Sequence, residues 1–137
     1  MSISNSQLIT EALALIGVIQ ETEVLSAEQG QHGLRKLNAL MADWEQDGVD
    51  LQYFEQIALA DETPIPDHAI LAVTYYLAMA LAPTYAARVP PEFVALGDKY
   101  YSRLVRDAAK EKIAPTDLRH LTQGEGWGGF YDITTDV

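Results

Sequence analysis

The sequence predicts an all-α fold: a four-helix bundle-like subunit with an irregular central crossing and an extended C-terminal arm. Three observations carry this. Ser4 with Gln7, and Ser26 with Gln29, have capping-box spacing, and Gly17 and Gly48 stand where left-handed helix stops are wanted. Apolar residues recur at helical steps in Leu34, Leu37, Met41 and Trp44, and again in Phe93, Leu96, Tyr100 and Leu104. Pro64 and Pro66 rule out a central strand in the stretch between the helices. With 137 residues the chain is about one domain, and a domain of this size buries roughly 68% of its unfolded surface.

The first helix is expected at about 7–16, with Leu8, Ile9, Ala12, Leu13 and Ile16 as its apolar face. Residues 18–25, carrying Glu21 and Glu23, read as a surface loop. Ser26 opens a second helix of about twenty residues, ending near Gln46 and spanning about 30 Å. Gly30 and Gly33 weaken it locally, and either admit another backbone or are two tolerated glycines in an early turn.

Residues 49–66 are expected to cross the surface with at most a little strand or hairpin. Asp67 is a plausible N-cap for a third helix over about 68–81, apolar nearly all round and so placed centrally. Pro83 ends or kinks it. Pro90, Pro91 and Glu92 open a fourth helix whose C-terminal end is favoured by Arg103, Arg106, Lys110 and Lys112. This gives a helical domain over 1–112 and an arm over 113–137. Pro115, Gly124, Gly126, Gly128 and Gly129 remove any periodicity from the arm, yet its Trp127, Phe130, Tyr131 and Ile133 are too apolar for a merely solvated tail. These four are the candidate partner-binding residues, packing either on their own domain or on a neighbour. The arm is expected to be disordered in the free subunit and ordered on assembly.

The absence of cysteine excludes disulfides, thiolate metal sites and thiol nucleophiles, as in a protein made inside a cell. The start has no basic residue before Arg35 and reads as neither signal nor transit peptide. The apolar run over 69–83 falls short of the roughly 20 residues of a membrane span, so no membrane partner is expected. The net charge of -11 is uneven: residues 1–67 hold twelve Asp/Glu against two Lys/Arg, and residues 68–137 eight against seven. An acidic half repels a phosphate backbone, which excludes tight nucleic-acid binding but permits a passive wall facing DNA.

No catalytic, cofactor or metal site is expected. Asp43-Trp44-Glu45-Gln46-Asp47-Gly48 matches the opening of a calcium loop, but the position that needs a bidentate acid is Phe54. His32, His68 and His120 are far apart and lack zinc-site spacing. Asp43 with Asp47, and Glu21 with Glu23, sit in polar surroundings that do not raise a carboxyl for acid–base work, and a solvated face is the plainer reading. No nucleophile elbow or phosphate-cradling loop is present. The Leu37, Met41 and Trp44 stripe reads as core.

Several segments together resemble one family. They are Ala14-Leu15-Ile16-Gly17-Val18; the run from Leu37-Asn38-Ala39-Leu40-Met41 through Ala42-Asp43-Trp44-Glu45-Gln46-Asp47-Gly48-Val49; Pro66-Asp67-His68-Ala69 leading into Tyr75-Tyr76-Leu77-Ala78; and Leu81-Ala82-Pro83-Thr84-Tyr85. Across roughly residues 5–110 the chain is similar to the head-to-tail connector adaptors of tailed phages, the group that includes the podovirus tail accessory factor, or packaged DNA stabilisation protein. The acidic tryptophan run with its Asp-Gly stop and the Leu-Ala-Pro-x-Tyr segment are its more specific parts.

The resemblance implies a non-enzymatic virion subunit in the neck between head and tail. Such subunits form a ring, commonly of about twelve copies, under the portal protein, where the ring extends the DNA channel, retains packaged DNA and docks tail or tail-needle proteins. It implies that the arm reaches the portal or neighbouring subunits. Candidate subunit contacts are Asp43, Asp47, Tyr53, Phe54, Arg103 and Arg106. The acidic first half either lines the channel or keeps the subunit soluble. The alternatives are a helical protein-binding adaptor unrelated to virions and a small carboxylate-based enzyme.

Overall fold

A computed structural model describes residues 2–113; the aromatic arm residues Trp127, Phe130, Tyr131 and Ile133 lie outside the described residues. Four helices follow in order: α1 (Asn5–Leu15), α2 (Ala27–Gln46), α3 (Ile70–Leu81) and α4 (Pro91–Ile113). Short 3₁₀ segments stand at either end of α3, Asp67–Ala69 before it and Ala82–Tyr85 after it.

The first two helices share one set of start and stop devices. The Ser4 Oγ accepts from Gln7 N at 3.2 Å while the Gln7 Oε1 accepts from Ser4 N at 2.9 Å. Ser26 and Gln29 repeat the exchange at 3.2 and 3.1 Å. Each helix then ends in a Schellman motif: Val18 N donates to Leu13 O at 3.0 Å behind Gly17 (φ 75°), and Val49 N to Trp44 O at 2.9 Å behind Gly48 (φ 94°). Both glycines occupy a conformation that costs any other residue a Cβ clash.

α1 begins two residues before the expected position. Asn5 N and Ser6 N, two of the donors a helix start leaves without partners, donate to Asp61 O and Leu59 O at 2.9 Å each. The irregular crossing therefore completes the first helix. Across this stretch the described residues hold a single isolated bridge, Ser4 with Glu62, and no hairpin.

α3 is the hub, packing against α1, α2 and α4. Its Ala72, Val73, Leu77, Ala78 and Leu81 are buried, and the Thr74 hydroxyl is satisfied by donating to Ile70 O at 2.8 Å. Leu71 is turned out to solvent, so the helix is not enclosed on every side. α3 ends at Leu81, two residues before Pro83, as expected; the chain then tightens into the 3₁₀ turn and closes on Ala86, held at φ 51°. Leu8, Ile9 and Leu13 of α1, Leu37 of α2, and Val73, Leu77 and Leu81 of α3 make up the fully buried centre, each contributing about 1.5–3 kcal/mol of hydrophobic stabilisation. Trp44 joins this core at 2% exposure.

The α2 glycines do mark close approaches, but of side chains and not of a backbone. A Cβ at Gly33 would stand 2.5 Å from Ile9 Cγ2, and one at Gly30 would stand 2.5 Å from Leu59 Cδ1.

Candidate interaction site

The crossing is held in place by side-chain amides, those of Asn5 and Gln56 buried and that of Asn38 half-buried. The Asn38 side chain, on α2, grips the main chain of Gln56 on both sides: its Nδ2 donates to Gln56 O at 3.0 Å, and its Oδ1 accepts from Gln56 N at 3.0 Å and from the Tyr53 hydroxyl at 2.6 Å. Gln56 is buried; its Oε1 accepts from Asn5 Nδ2 at 2.9 Å, and the same Asn5 amide reaches Ala58 O. With Tyr53 and Gln56 turned inward, Phe54 and Ile57 are pushed out, 65% and 84% exposed. Burial, with the Glu55 charge adding to it, raises the Tyr53 hydroxyl pKa, so this group remains a donor at neutral pH.

A second cluster joins the C-terminal end of α2 to the middles of α3 and α4. The Trp44 ring lies 5.6 Å from Tyr76 and 4.8 Å from Tyr101, centroid to centroid, within the range of favourable aromatic pairing. Two carboxylates cap it from outside: the Tyr76 hydroxyl donates to Asp98 at 2.6 Å and the Tyr101 hydroxyl to Asp47 at 3.3 Å. Tyr76 is pushed up to about 12, first by burial and then by its hydrogen bond to Asp98 and the charges of Asp98 and Tyr101. Tyr101 is raised by burial, then by Asp47 and Asp43. Such phenols donate hydrogen bonds and hold their protons. This is a packing device for three helices, not an acid–base pair.

The candidate contact residues therefore fall into separate places. Asp43 and Asp47 are exposed on the end of α2 beside Tyr101, and residues 43–46 are helical where a calcium loop would have to turn. Tyr53 is half-buried and committed to Asn38, while Phe54 is free at the surface. Arg103 and Arg106 are exposed on α4, Arg103 standing 5.9 Å from the Tyr100 ring centroid. Among the described residues no ion pair joins the two aspartates to the two arginines.

Other residues enter only with the structure. Asn5, Asn38 and Gln56 hold the crossing, and the signal for Asn38 was its place as a poor helix former beside the Leu37–Met41 stripe. Glu11 is a further case: its carboxyl is raised by burial and by the charge of Glu21, which the fold brings beside it from the loop after α1. His32, unrelated to the other histidines, stands 3.1 Å from the Thr84 hydroxyl. No group of three or more His, Cys, Asp or Glu among the described residues could hold a metal ion. No helix among them is long and apolar enough to cross a membrane.

No curated protein matches the chain closely enough to add an individual relative. A family model matches residues 2–128, from before the first helix cap to beyond α4. On that match the chain belongs to the P22 tail accessory factor family, whose members are structural phage proteins.

Proposed function

We propose that the protein is a head-to-tail connector subunit: copies assemble as a ring under the portal protein, extend the DNA channel, retain packaged DNA and offer a platform to tail or tail-needle proteins. The observation that carries this reading is the family match over residues 2–128, which spans all four helices and enters the arm. Virion association follows from the family, and the neck is the place where a subunit binding both portal and tail would sit.

The charge distribution supports the same reading. Ten of the eleven net negative charges fall in residues 1–67, and an acidic wall lets DNA slide without sticking. DNA is then a passing cargo, not a specific ligand. The arm, through Trp127, Phe130, Tyr131 and Ile133, is the proposed portal contact, since aromatic anchors concentrate binding energy in small areas.

The experiment is assembly on the portal. Sedimentation velocity of the subunit alone should show a monomer or weak oligomer; with portal added, the mixture should yield a complex that electron microscopy resolves as a closed ring. A subunit that stays monomeric and never co-sediments with portal overturns the proposal.

A further inference from the structure

α4 carries a helix face with no partner. Lys99, Arg103, Arg106 and Lys110 recur at steps of four, three and four, which aligns them in one stripe, and all four are exposed. Among the described residues no acid pairs with any of them. Asp107, three and four positions from Lys110 and Arg103 on the same helix, tempers their like charges without closing an ion pair.

Elsewhere on the surface is a groove of opposite character. It encloses about 640 Å³ between α1, the loop after it and the crossing; Ile3 and Leu59 supply apolar lining, Val24 is 92% exposed, and Glu11, Glu21 and Glu23 line it. These three carboxylates likewise have no cationic partner among the described residues. Burial first, and the charge of Glu21 second, raise the Glu11 carboxyl, and an incoming cation would offset the Glu21 contribution.

α3 packs against both α1 and α4, and among the described residues no ion pair joins the stripe to the groove within one chain, so both are open to a second copy. Two different patches in mutual contact make a heterologous interface, which repeats head to tail and closes into a ring when the rotation allows. A self-complementary dimer would need one patch to serve both copies.

We infer that the basic stripe of α4 docks into the Glu11–Glu21–Glu23 groove of the next copy, forming the lateral contact between neighbouring subunits. This rests on the ring reading and names the surfaces that make it. Exposed ion pairs are individually weak and are screened by salt. The contact therefore holds poorly between two free subunits and well when a template aligns many copies at once.

Charge exchange tests it. Glu21→Lys with Glu23→Lys reverses the groove, and Arg103→Glu with Arg106→Glu reverses the stripe. Each pair alone should cut the yield of rings on portal by about tenfold or more, because like charges then face each other. All four changes in one chain restore opposite charge across the contact and should recover rings. Helical circular dichroism confirms that each variant folds. The cysteine-free sequence permits a second readout on near-native chains: a mixture of Glu23→Cys and Arg103→Cys subunits, oxidised on portal, should give a covalent dimer.

Rings of undiminished yield from both single-face variants, or no cross-linked dimer within rings that form, overturn the inference and leave the ring reading intact. Failure of the unaltered protein to form rings is the separate failure of that reading. If the stripe variant forms full rings but loses DNA retention, the stripe faces DNA and the inference is also overturned.

Discussion

At the scale of single residues, the least conspicuous polar side chains decide the shape of the surface. Asn38 replaces a missing sheet: its amide pairs with the Gln56 main chain as a neighbouring strand would, and adds the Tyr53 hydroxyl. Truncation would leave a buried main-chain donor and acceptor and a half-buried phenol without partners. Asn38→Ala should therefore cost about 2–4 kcal/mol, since each stranded buried group costs roughly 1–3 and the crossing can shift to let water in. Asn38→Asp, which keeps the acceptor and loses the donor, should fall between it and the native protein. Urea titration gives the energies, and proteolysis should become faster within residues 53–61. A loss below about half a kcal/mol would mean that Asn38 does not hold the crossing. The sequence marks Asn38 only as a poor helix former beside the core stripe; its task stays hidden because its partner is a main chain eighteen residues away.

At the scale of elements, what the sequence made legible was local and what it concealed was tertiary. Both capping boxes and both glycine stops form where the spacing of Ser4, Gln7, Ser26, Gln29, Gly17 and Gly48 placed them, because each is a bargain among residues a few positions apart. The early start of α1 was hidden, since the carbonyls that complete it belong to Leu59 and Asp61. The α2 glycines were ambiguous for the same reason: only the fold shows Ile9 seated on Gly33. A competition follows that has an unusual sign. Gly33→Ala gains about 0.8–1.0 kcal/mol of helix propensity. It also drives a methyl into Ile9 Cγ2, which is fully buried and has little room to retreat, at a cost of about 1–3 kcal/mol. The single change should be neutral to destabilising. With Ile9→Ala already present the obstacle is gone, and the same Gly33→Ala should become stabilising. A double-mutant cycle by chemical denaturation measures this coupling, and additive effects would show that the helices are not in contact there.

At the scale of the whole molecule, the helices are cooperative because α3 is shared. It touches each of the other three. The central place of α3 was legible in its nearly continuous apolar sequence, but which helices pack against it was not. If α3 is the common support, damage to it should unfold all the helices together. Leu77 is fully buried on this helix, so Leu77→Ala should cost about 2–5 kcal/mol through lost burial and the cavity left behind. A domain of this size loses roughly 4 °C of midpoint per kcal/mol, which places the expected fall at about 8–20 °C. Trp44 offers an independent view of the same event, as its ring packs between residues of α3 and α4. In a Trp127→Phe background the fluorescence of Trp44 and the helical circular dichroism should lose their native signals at one temperature, in the native protein and in Leu77→Ala alike. Two separated transitions would show that α1 and α2 stand without the hub, and that α3 joins two units instead of supporting one.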